Sequence, residues 1–126
     1  MATNLSTIGQ IAVPVKDLAR AVAFYRDVLG LRFLFQVPPA LAFFDCNGIR
    51  VMLDVPSDKE FDHPASPLYF KVDDIDVAYA DLQARGVNFH GAPHLIAKMP
   101  DHELWMFFLR DPDGNPLALM EEKRPA

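Results

Sequence analysis

An α+β fold built from two copies of a βαβββ module is the architecture this chain predicts. Three observations carry it. First, Val15-Lys16-Asp17-Leu18 opens an apolar-periodic stretch that closes at Gly30, and Val72-Asp73-Asp74-Ile75 opens a second that closes at Gly86. Second, alternating apolar residues, the pattern of a half-buried strand, flank both stretches. Third, a turn follows in each half, Asn47-Gly48 in one and Asp113-Gly114-Asn115 in the other, both compositions that favour tight reversal of a strand.

In the first module, Ile8 to Val15 reads as a strand. Asp17 is placed as an N-cap, its carboxylate accepting from free helical amides. Leu18, Ala21, Val22, Tyr25, Val28 and Leu29 keep helical spacing, and Gly30 stands where a helix ends in the left-handed conformation. Leu31 to Phe35, Leu41 to Asp45 and Ile49 to Asp54 read as strands, with Pro38-Pro39 between the first two. Val55 to Ser66 is polar and proline-bearing and reads as a linker. The second module repeats the order: strand Leu68 to Val72, cap Asp74, helix Val77 to Ala84, strands Val87 to His94, Glu103 to Arg110 and Leu117 to Glu121, then a frayed tail from Glu122 to Ala126. The whole, residues 1–126, is expected to be one domain of modules 6–54 and 67–121 joined by linker 55–66, its curved mixed sheets surrounding a cleft.

Composition narrows the function. With 126 residues and a formal net charge of −5, the chain lacks the basic patch that phosphate neutralisation requires, so no nucleic-acid partner is expected. Cys46 is the only cysteine, so the fold needs no internal disulfide. Neither a signal peptide nor an apolar run of about 20 residues is legible. A cytoplasmic protein with no membrane partner is expected.

With Val15-Lys16-Asp17-Leu18, Phe24-Tyr25-Arg26-Asp27-Val28-Leu29-Gly30-Leu31, Val72-Asp73-Asp74-Ile75 and Asp111-Pro112-Asp113-Gly114-Asn115 in this order, the chain resembles the vicinal oxygen chelate superfamily. That superfamily holds glyoxalase I, bleomycin-resistance proteins, fosfomycin-resistance enzymes and extradiol dioxygenases. The resemblance implies the glyoxalase/bleomycin-resistance fold, a small-molecule ligand and a homodimer. Its metal-dependent members carry a His or Gln seven residues before each helix-capping Asp and a Glu on the last strand. Here those positions are Gln10 and Pro67, with Ala118 on the last strand and Met52 as its first-half counterpart. Only Gln10 is an ordinary ligand, and a thioether suits soft metals, so no metal or other cofactor is expected. A divalent cation held unconventionally by Gln10, His94, His102 and Glu103 is the alternative. Asp54 shares strand parity with Met52 but stands one pleat, about 6.6 Å, further along.

Strand parity groups Gln10, Ala12, Arg50, Met52, Asp54, Pro67, Tyr69, Lys71, Ala118 and Met120 on the faces turned from the helices. Trp105 is expected at a pocket mouth beside them, and the phenylalanines 33, 43, 44, 107 and 108 add aromatic surface of undetermined parity. The expected ligand-binding residues are therefore Gln10, Arg50, Met52, Asp54, Tyr69, Trp105, Ala118 and Met120. Arg50 either meets an anionic group or pairs with a strand carboxylate. The expected function is binding of a small, largely hydrophobic or aromatic molecule in the sheet cleft. A metal-dependent glyoxalase-like lyase or isomerase is the alternative, no catalytic residue is assigned, and whether the protein is an enzyme is left open.

Overall fold

The computed structural model describes Thr3 and residues 5–125. The chain divides into two compact units, Met1–Ala65 and Ser66–Ala126, each containing a mixed sheet and a helix. The first holds β1 (Gln10–Pro14), α1 (Leu18–Ala23), β2 (Arg32–Val37), β3 (Leu41–Cys46) and β4 (Ile49–Asp54). Its sheet runs β1-β4-β3-β2, with β1 parallel to β4 and the other pairs antiparallel. The second holds β5 (Leu68–Lys71), α2 (Ile75–Ala84), β6 (Asn88–Phe89), β7 (His94–Lys98), β8 (Glu103–Arg110) and β9 (Pro116–Lys123). Here β5 lies parallel to β9, β8 pairs β9 antiparallel, and β6 and β7 both pair β8.

The helices begin as their sequences dictate. Asp17 accepts from the Arg20 amide at 3.1 Å, and Asp74 accepts from the Asp76 and Val77 amides, each at 3.1 Å. The glycines that end them, Gly30 and Gly86, both sit at φ 76°, a conformation that costs glycine little. Each helix covers one sheet face and closes an aromatic cluster. Tyr25 and Phe33 pack around Phe44 with ring centroids 6.1 and 5.5 Å away. Tyr79 and Phe89 pack around Phe107 at 5.3 and 5.6 Å. Tyr25, Phe44 and Phe107 are fully buried.

Three expectations are corrected. The first helix does not stay α-helical to Leu29: Phe24–Val28 forms a π turn, with the Leu29 amide donating to the Phe24 carbonyl. The wider turn shifts the phase of the apolar stripe, so Tyr25 is buried while Val28 and Leu29 are half-buried. Residues 87–94 are not one strand. Gly91 takes φ 100° and Pro93 has no amide to donate, so the chain leaves the sheet after Phe89 and returns at His94. Glu122 and Lys123 are not frayed, because β9 continues to Lys123 opposite Glu103 and Lys123 Nζ reaches Asp76 at 3.0 Å. Ala126, the end of the expected tail, lies outside the described residues.

Candidate functional site

In the first unit, the core face of the sheet carries Val13, Phe44, Val51 and Leu53, all at most 2% exposed. The opposite, open face carries two rows set by strand register. An apolar row crosses the sheet as Ala12, Met52, Phe43 and Phe35. A polar row, two residues along β1, β3 and β4 and three along the bulged β2, crosses as Gln10, Arg50, Asp45 and Arg32. Phe35 and Phe43 stack with centroids 4.8 Å apart and planes tilted by 31°. The Arg50 guanidinium carbon stands 5.8 Å from the centre of the Phe43 ring, a cation–π arrangement. Gln10 Nε2 donates to Met52 Sδ at 3.6 Å. Asp54 is half-buried at the end of β4, between Leu41 and Pro14 in register.

Phe35 is the residue that alternation conceals. It stands two positions after Phe33 and would share its face in a regular strand. A bulge between them pairs Phe33 with Phe44 but Phe35 with Phe43, and the extra residue turns Phe35 onto the open side. The structure also sorts the other phenylalanines: Phe43 and Phe108 lie on the open side, Phe43 only 9% exposed against Phe35 and Arg50, while Phe33, Phe44 and Phe107 serve the cores.

In the second unit, the corresponding row is Tyr69, Ala118 and Phe108. The Tyr69 and Phe108 rings meet edge-on at 6.2 Å above Ala118, which is 0% exposed. Ala118, expected among the ligand-binding residues, is therefore fully buried, with Tyr69 and Phe108 as its register neighbours. Sizes exchange between the units at matching positions, with Met52 beside Ala12 in one and Ala118 beside Tyr69 in the other. Met120 follows Ala118 on this face beside Met106 and Lys71, and the His94 ring lies 6.3 Å from Phe108.

Trp105 is not on this face. The β8–β9 register is continuous from Glu103 to Arg110, so Trp105 shares the helix-covered side with Phe107. Its indole Nε1 donates to Glu103 Oε1 at 3.1 Å, and Lys123 Nζ stands 4.8 Å from the ring centre. Glu121, its register partner, accepts from the Ile75 amide at the start of α2 at 2.9 Å.

A separate groove of about 380 Å³ lies at the tip of the β7–β8 hairpin, between Met99, Asp101, His102 and Arg124. Asp101, His102 and Arg124 are already engaged with one another. Asp101 accepts from Arg124 at 2.7 Å and from His102 Nδ1 at 2.8 Å. Arg124 first, and His102 second, hold the Asp101 carboxyl down to about 2. Because the folded-state value lies below the ordinary carboxylate value of about 3.9, the contribution of this cluster is complete above pH 4. It is expected to fade as pH falls from about 4 through about 2. A carbon-detected NMR titration of Asp101 checks this, and a midpoint near 4 refutes it.

The outward faces and the repeated module now define a class. The chain belongs to the glyoxalase/bleomycin resistance protein/dioxygenase superfamily, whose family model matches residues 7–119. The YraH protein of Bacillus subtilis (strain 168) is 30% identical over 122 residues, spanning 84% of this chain and 91% of its own. A superfamily member from Sphaerobacter thermophilus superposes with a TM-score of 0.77 at 28% identity, covering 94% of this chain and 98% of its own. TnmS3, an antibiotic binding protein from Streptomyces, superposes with a TM-score of 0.71 at 26% identity, covering 97% of this chain and all of its own.

The side chains at the metal positions implied by the resemblance do not fit a divalent cation. Pro67 and Ala118 offer no side-chain donor, Met52 offers a thioether, and the Gln10 amide is turned to Met52. The alternative ligand set does not converge either. His94 pairs with Met106 on the open face and donates from Nδ1 to the Ala92 carbonyl at 3.1 Å, while Glu103 lies on the other face beside Trp105. Among the described residues, no three His, Cys, Asp or Glu side chains gather in a metal-holding arrangement. No described helix is long and apolar enough to cross a membrane.

Proposed function

We propose that this protein binds a small, flat, largely hydrophobic molecule on an open sheet face, without the metal site of its catalytic relatives. The carrying observation is the stacked Phe35–Phe43 pair beside Met52 and Ala12, with Gln10 and Arg50 as polar handles. A flat apolar floor with few placed polar groups is the chemistry of a small-molecule site. Similarity to TnmS3 supports binding rather than turnover. By resemblance the protein works as a homodimer.

Equilibrium dialysis against neutral naphthalene compounds, with metal analysis of protein purified without an affinity tag, tests the reading. Binding is expected, and Phe35→Ser should weaken it about tenfold through loss of aromatic contact. Phe35 is 45% exposed, so this variant should fold. Near-stoichiometric Ni, Zn, Mn or Fe that disappears in Gln10→Ala overturns the reading in favour of a metal-dependent lyase or isomerase.

A further inference from the structure

We infer that the ligand of the first unit's open face is an aromatic anion, its ring on the Phe35–Phe43–Met52 row and its carboxylate on Arg50. This rests on the reading of that face as a binding surface and adds the charge of what it binds.

The inference comes from how the polar row is satisfied. Arg50 is exposed and stands in register between Gln10 and Asp45, while Asp45 stands between Arg50 and Arg32. Two guanidiniums thus flank one carboxylate. That carboxylate is partly turned away, since Asp45 Oδ1 accepts from the Gly48 amide at 3.1 Å within the hairpin. Neither Arg50 nor Arg32 forms an ion pair among the described residues. Other arginines are committed: Arg26 to Asp27, Arg85 to Asp81, Arg124 to Asp101 and Glu122, and Arg110 to the Gly114 carbonyl. Arg50 instead lies over Phe43, which leaves its N–H groups to solvent.

The two rows are two residues apart along β1, β3 and β4, about 6.6 Å. That is roughly the reach from the middle of a bicyclic ring to a carboxylate on its edge. A ring extending the Phe35–Phe43 stack would bring its carboxylate to the guanidinium, where a planar fork can accept it in two parallel hydrogen bonds. The row retains a positive charge because Asp45 offsets only one of its two arginines.

Calorimetric titration of the protein with 2-naphthoate and with neutral 2-naphthalenemethanol tests this. Wild type is expected to prefer 2-naphthoate by about tenfold or more, the scale of a charge-assisted hydrogen-bonded pair. Arg50→Met, which keeps an unbranched stem over Phe43, should abolish the preference by weakening 2-naphthoate about tenfold more than the neutral compound. Arg50→Lys should keep part of it. Equal affinity of wild type for both compounds, or a preference that survives Arg50→Met, overturns the inference while sparing the binding surface. Failure of both compounds to bind wild type overturns the surface and the inference together.

Discussion

Phe107→Ala is expected to destabilise the protein by about 3–5 kcal/mol, the range for removing a buried aromatic ring. Small domains are stable by about 5–15 kcal/mol in total, so this variant should be largely unfolded at modest urea. Phe107 is 0% exposed and joins Tyr79 on α2 to Phe89 on β6. Its loss opens a cavity where the helix meets the sheet and leaves Tyr79 as the remaining ring contact of Phe89 on β6. Phe108→Ala, one position along and on the other face, removes a half-buried ring and should cost clearly less. Urea midpoints read by circular dichroism compare the two. A larger loss for Phe108→Ala would mean that β8 presents its faces the other way round, and Trp105 would then return to the open side.

That comparison also shows where sequence reading ends. Asp17, Asp74, Gly30 and Gly86 could be placed before any coordinates because each answers a local demand: a free helical amide or a left-handed backbone. Parity along β1, β4, β5 and β9 was equally legible, since those strands run without interruption. Phe35 was not, because a bulge is invisible to alternation unless its extra residue is recognised. The break after Phe89 was missed for a related reason: apolar residues continue on both sides of Gly91, and only the glycine's positive φ takes the chain out of the sheet. Trp105 has no anchor in the sequence. Its parity is readable only from Phe107, and two adjacent phenylalanines leave open which one faces the core. The repeat puts Pro67 and Ala118 at ligand positions, but strand alternation does not reveal that Ala118 is fully buried.

Asp111→Ala should cost about 2–6 kcal/mol, through donors rather than volume. Asp111 is 4% exposed and Asn115 is 7% exposed. Asp111 Oδ1 accepts from the Asp113 and Asn115 amides, each at 2.9 Å, and Oδ2 accepts from Asn115 Nδ2 at 2.9 Å. Alanine leaves three donors without these bonds, and the two on Asn115 are buried, at about 1–3 kcal/mol for each buried one unmet. The first unit uses the same device on a smaller scale, where Asp45 accepts from Gly48 beside an exposed turn. The second turn starts the β8–β9 register that pairs Arg110 with Pro116 and Phe108 with Ala118, so its loss should reach the open face as well as the global stability. Asp111→Asn keeps an oxygen for the two amides but sets its own NH₂ against that of Asn115. Exchanging the pair, Asp111→Asn with Asn115→Asp, restores a donor opposite an acceptor and should recover a substantial part of the loss. Urea midpoints of the single and double variants decide it. Recovery would assign the stability to the hydrogen-bond pattern, whereas an additive loss would show that the carboxylate's charge at position 111 holds the turn.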